Sequence, residues 1–175
     1  ASPVAGPPAP RTSLLVAFGV LTGVVGVLVE FQFYAAASGG ARGGASADQF
    51  ANLYLGMNAG ALVALHATPL LQRLGGLGGT LMLLPVSVSV LSSVLWLGLG
   101  GGGRTVLRLA EGGLKASTHR VGWEQVFVRV PVARRARLKL AVDGMATRLA
   151  EGATGFGLFF LARTGALPTV AIAAL

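Results

Sequence analysis

Ten of the 14 basic residues and four of the six acids fall between Arg104 and Glu151, while the flanking chain is long apolar runs with almost no charge. This split constrains the fold more than any other feature. Apolar runs of about 20 residues are the length that crosses a bilayer as a helix. A soluble domain with 53% hydrophobic and 11% charged residues, and a mean hydropathy of +0.71, lacks the charge to cover its surface. The 27 glycines suit close helix packing in lipid. With no Cys there are no thiolate metal sites. A net charge of +8 points to nucleic acid in a soluble protein. Here the basic residues sit beside apolar spans, which fits a cytoplasmic membrane face and not nucleic acid.

The expected fold class is an all-α membrane protein, a polytopic helical bundle. After a flexible Pro/Ala linker at 1–12, a transmembrane bundle is expected over 13–175. Its spans lie at about 13–37, 49–72, 79–99, 104–128 and 133–162, and a truncated sixth begins at 167. A cleaved signal peptide is the alternative for the first span, opposed by its length and by Glu30 within it. Both ends of the sequence read as cuts in a longer polypeptide. Asp48 is expected to cap the second helix, glycines between 72 and 79 to form a tight turn, and Pro85 to kink the third span. Gly19 and Gly23, like Gly56 and Gly60, stand at GxxxG spacing. A cytoplasmic start puts Arg11, Arg73 and the cluster 129–139 inside, and Arg42, Arg104 and Arg163 outside.

Two groups of polar residues are candidates for function. Arg108, Glu111, Lys115 and His119 follow at spacings of three, four and four, one face of a helix whose other positions (Val106, Leu107, Leu109, Leu114) are apolar. Such a stripe cannot face lipid, so it meets water or protein, either as an intrahelical ion-pair ladder or as a binding face. Arg108 and Lys115 suit an anionic substrate. Glu30 is either a snorkelling or structurally paired carboxylate or a substrate or coupling-ion contact in a cavity. The second group is Glu124 and Asp143 with Arg135, Arg137, Lys139 and Arg148, in and around a basic connector carrying Arg129, Arg134, Arg135 and Arg137. The connector reads first as a topology signal. His66 reads as packed or bonded to its own helix. There is no phosphate loop, nucleophile elbow, carboxylate pair or metal-ligand spacing, so no enzyme activity, metal or cofactor is expected.

From Leu114 to Leu149 the sequence resembles the signature of the nucleotide (ATP/ADP) transporters and their bacterial relatives in the major facilitator superfamily. The match runs without gaps through Lys115, Ser117, Glu124, Phe127, Arg135, Arg137, Lys139, Ala141, Val142, Asp143, Arg148 and Leu149. The LVEFQF segment is similar to that family's LVE segment and places Glu30 on its carboxylate. The departures are Ala116 for a tyrosine, Trp123 for a lysine, Arg129 for a proline, and Phe33 and Tyr34 where a lysine is expected. The resemblance implies the C-terminal half of a major-facilitator-type fold, with five full transmembrane helices and the start of a sixth. The missing N-terminal half would be its partner in the same polypeptide.

It also implies a secondary transporter in a bacterial inner membrane, an antiporter of the ATP:ADP exchange type working by alternating access on an anion such as a nucleotide. Glu30, Arg108, Glu111 and Lys115 would bind substrate. Glu124, Arg135, Arg137, Lys139, Asp143 and Arg148 would form cytoplasmic ion-pair gates. A non-transporting membrane anchor or sensor fused to soluble regulatory domains is the competing expectation.

Overall fold

The computed structural model describes residues 12–39, 47–96 and 103–164, and over these residues the protein is all-α. α1 (Thr12–Gly39) and α2 (Ala47–Trp96) are the two helices long and apolar enough to cross a membrane. α3 (Gly103–Leu114) continues through a π-helical turn, Lys115–His119, into α4 (Arg120–Val128). α5 (Val132–Lys139) likewise continues through a π-helical stretch, Leu140–Ala146, into α6 (Thr147–Arg163).

α2 is one helix by hydrogen bonding but two limbs by direction. The break is at Gly76, whose φ of 62° and ψ of −164° are open to glycine and strained for other residues. Before it, Gly56 lies against Leu109, and Met57 and Ala61 against Gly113, so this limb runs parallel to α3. Beyond it the order is reversed: Leu81 meets Gly122, and Leu95 meets Gly103. The chain therefore folds back at Gly76. The turn is sharper than the 72–79 segment expected from the glycines, and helical hydrogen bonding extends almost up to it on both sides. Thr80, fully buried, donates its hydroxyl to the Gly76 carbonyl at 3.0 Å, so this buried polar side chain is satisfied within its own helix. Pro69 and Pro85 both lie inside α2, and the only non-helical dihedrals there are those of Gly76, so Pro85 does not break the span.

α1 runs antiparallel to α3–α4 and parallel to α6. Its first turns pack with Val126 and Phe127, Glu30 reaches Arg108, and Gly19 and Gly23 lie against Thr147. At the far end Phe33, Tyr34 and Phe50 form edge and tilted ring contacts with centroids 5.7 to 6.3 Å apart, tying α1 to the start of α2. One end of the bundle thus carries Thr12, Arg73 and 129–139, and the other Arg104 and Arg163.

Two apolar clusters close the bundle. One joins Leu15, Val126, Phe127 and Val142, and the other Val29, Leu84, Val88 and Leu107. Leu15 and Val29 are 14 residues apart, about 21 Å along a helix at 1.5 Å per residue. The polar stripe of 108–119 lies between these plugs.

The outer surface is apolar. Only 28% of the most apolar stretch in α1 and 17% of that in α2 is buried in the protein, whereas the core helix of a soluble domain would be mostly covered. Val63, Leu74 and Phe156 are each more than 70% exposed.

Other expectations need correction. Asp48 lies in the first turn of α2 instead of capping it, a place where a carboxylate still favours the helix dipole. The basic connector is only Arg129–Pro131. Pro131 starts α5, with its carbonyl accepting from the Arg134 and Arg135 amides, so Arg134, Arg135 and Arg137 are helical. Of the linker expected at 1–12, Thr12 opens α1 and the rest lies outside the described residues, as do 40–46 with Arg42, the last residues of the 79–99 span and the sixth span at 167–175.

Candidate functional site

Periodicity alone lines up Arg108, Glu111 and Lys115 on α3, and the fold then brings α1 across them. Arg108 donates from Nη1 to Glu111 Oε2 at 2.5 Å and from Nη2 to Glu30 Oε1 at 3.1 Å. Lys115 Nζ lies 3.5 Å from the other Glu111 oxygen. The four expected substrate-binding residues, Glu30, Arg108, Glu111 and Lys115, therefore form one ionic chain spanning two helices. The Glu111 side chain is 2% exposed and Arg108 13%, but Glu30 is 43% exposed. At Gly26 a Cβ would stand 2.6 Å from Lys115 Nζ and 3.3 Å from Glu111 Oε1, so a side chain there would push the Lys115 ammonium aside.

These residues line a cavity of about 670 Å³ bounded by α1, α3, the Lys115–His119 turn, α4 and α6. Arg108, Lys115, Arg120 and Arg148 face Glu30, Glu111, Asp143 and Glu151 across it, so its fixed charges balance. A polyanion would meet four carboxylates as well as four cations. Small anions and zwitterions suit this balance better.

Three features of the site escape a reading of spacing alone. The Lys115–His119 turn is π-helical, a local widening common at functional sites, and its Ser117 hydroxyl donates to the Gly113 carbonyl at 2.6 Å. Second, His119 is buried in an aromatic wall. It stacks on Phe18 and Trp123 with centroids at 5.6 and 6.3 Å, and Phe127 meets Trp123 edge-on at 5.3 Å. His119, Trp123 and Phe127 recur every four residues, a signal present in the sequence, whereas Phe18 comes from another helix. Third, a second π-helical stretch, Leu140–Ala146, carries Asp143 into the cavity wall.

The expected gate residues do not form one cluster. Lys139 Nζ holds both Glu124 oxygens at 2.6 and 2.7 Å, joining α4 to α5. Arg135 donates instead to the Val128 and Val130 carbonyls at 2.8 and 3.3 Å, satisfying backbone acceptors left at the end of α4. Asp143 accepts from Trp123 Nε1 at 2.7 Å, and Arg148 pairs with Glu151 on its own helix at 2.8 Å. Among the described residues, Arg137 makes no ion pair and Asp143 meets no cation of the 129–139 segment. His66 donates from Nδ1 to the Leu62 carbonyl at 2.8 Å, bonded to its own helix.

The Glu124 and Lys139 side chains are 49% and 41% exposed, so their pair is worth at most about 1 kcal/mol. Glu124→Gln should therefore shift the unfolding midpoint in detergent only slightly, and exchanging the two charges (Glu124→Lys with Lys139→Glu) should leave it near the native value. A large loss in the exchanged protein would show that this pair is set by more than its two charges.

No family model, no curated protein and no solved structure matches this chain.

Proposed function

We propose that this chain is half of a polytopic secondary transporter of the major-facilitator type, moving a small anionic solute by alternating access. The observation that carries the reading is the ionic chain Glu30–Arg108–Glu111–Lys115 on a 670 Å³ cavity, running from the level of Val29 and Leu107 toward the middle of a bundle whose outer surface suits lipid. Charges inside a membrane are costly and tend to mark substrate or ion pathways. Transporters of this kind bind their substrates near the midplane between helix bundles. In this proposal the missing half of the polypeptide covers the open side of the cavity. The end with Arg73 and 129–139 faces the cytoplasm of a bacterial inner membrane, in keeping with the positive-inside bias. The balanced charge of the cavity puts phosphate, carboxylates and zwitterions first among solutes to try, and the resemblance from Lys115 to Leu149 adds nucleotides to the panel.

The test is uptake by the complete polypeptide in proteoliposomes, across a panel of nucleotides, inorganic phosphate, dicarboxylates and amino acids. Saturable uptake of at least one of these, lost in Arg108→Gln, is expected. An anchor or sensor would insert in the bilayer and move none of them.

A further inference from the structure

We propose that Glu30 is an internal stand-in for the substrate's anionic group, occupying Arg108 until a carboxylate or phosphate oxygen displaces it. This rests on the reading of the cavity as a small-anion site. Glu111 is a fixed partner: its side chain is 2% exposed, one oxygen takes Arg108 at 2.5 Å and the other faces Lys115 at 3.5 Å. Glu30 differs in each respect. It comes from a different helix, holds Arg108 at the longer distance of 3.1 Å with no second cation among the described residues on its other oxygen, and is 43% exposed on the cavity side. An anion displacing Glu111 would leave a buried carboxylate unpaired at great cost, but it can replace Glu30 on Arg108 Nη2 while Glu30, 43% exposed, turns into the open cavity. Arg108 offers a planar fork of donors that fits a carboxylate or phosphate, so the incoming group takes over geometry that Glu30 already uses. Displacement also breaks the ionic link between α1 and α3, which ties occupancy of the site to the freedom of α1.

Removing Glu30 should then tighten anion binding, the reverse of what removing a direct substrate contact would do. Calorimetric titration of inorganic phosphate into the complete polypeptide in lipid nanodiscs reads this directly. Glu30→Gln, and Glu30→Ala as a second variant, should bind phosphate roughly three- to tenfold more tightly than the unaltered protein, the scale of one partly exposed ion pair. Glu151→Gln separates displacement from a general change in cavity charge. Glu151 lines the same cavity but pairs with Arg148, which is 75% exposed, so its neutralisation alters net charge equally yet frees a well-solvated cation and not Arg108, which is 13% exposed. Its affinity should change by less than about twofold if local pairing outweighs the field.

Equal or weaker phosphate binding in both Glu30 variants overturns the proposal, as does an equal gain in Glu151→Gln. Absence of phosphate binding in every protein overturns it too. Uptake of some other solute would still uphold the transporter reading in each of these cases. Conversely, tighter binding in the Glu30 variants without uptake of any solute would leave the stand-in intact and refute transport.

Discussion

Glu111→Gln should destabilise the protein by about 3 kcal/mol, the largest effect expected of any single charge change here. Glu111 is 2% exposed and neutralises both Arg108 and Lys115. Glutamine fits the same space, so the loss would come from charge and not from packing. Arg108 would keep only the more exposed Glu30, and Lys115 would keep no partner within the ionic chain. Thermal unfolding in detergent measures the loss, and Glu111→Gln combined with Lys115→Gln should recover part of it. If the single variant unfolds at the native temperature, the carboxylate does not hold the chain of charges together, and the pairing around it needs another explanation.

Gly23→Val should be nearly as damaging, for a steric reason. A Cβ at Gly23 would lie 3.2 Å from the Thr147 carbonyl oxygen, 3.2 Å from its methyl group and 3.3 Å from Glu151 Cγ. The carbonyl belongs to backbone and cannot swing away, so α1 and α6 must separate. Overpacking of this kind costs roughly 1–3 kcal/mol. Gly155 on α6 has nothing within 4 Å of a Cβ, so Gly155→Val serves as the matched control and should change stability little. Equal behaviour of the two variants in thermal unfolding would contradict the α1–α6 contact. A selective loss in Gly23→Val would confirm it.

Much of this was legible in the residues. The long apolar runs located α1 and α2 to within a few positions, and the polar period located the helices that follow. The 3.6-residue period placed Arg108, Glu111 and Lys115 on one face, and the rarity of a carboxylate in an apolar run picked out Glu30. What spacing could not supply was partnership between helices. That Glu30 meets Arg108, that Phe18 joins the His119–Trp123 stack, and that Gly26 makes room for Lys115 all depend on how α1 crosses α3. The gate residues show the same limit. A cluster of opposite charges suggested mutual pairing, yet Asp143 takes an indole N–H and Arg135 caps backbone carbonyls. Both π-helical stretches were also out of reach, because a one-residue widening leaves the apolar period almost unchanged. Of the two GxxxG spacings, Gly19 and Gly23 mark a close helix contact, whereas in the other pair Gly56 packs on Leu109 and Gly60 faces open space.

The proposed transporter requires that its ionic cavity hold water and that the outer face of its bundle meet lipid. This chain has no native cysteine, so single cysteines report on each environment without background from it. Ala116 is exposed to the cavity, while Leu62 and Val86 are exposed on the outer apolar face at 60% and 55%. In the complete polypeptide, with any cysteines elsewhere replaced and reconstituted in vesicles, Ala116→Cys should react with a water-soluble, membrane-impermeant maleimide. A bound substrate anion should protect it, and Leu62→Cys and Val86→Cys should stay unmodified. Rapid labelling of the two outer-face cysteines together with an inert Ala116→Cys would place water outside the bundle and none in the cavity, and the account would fail.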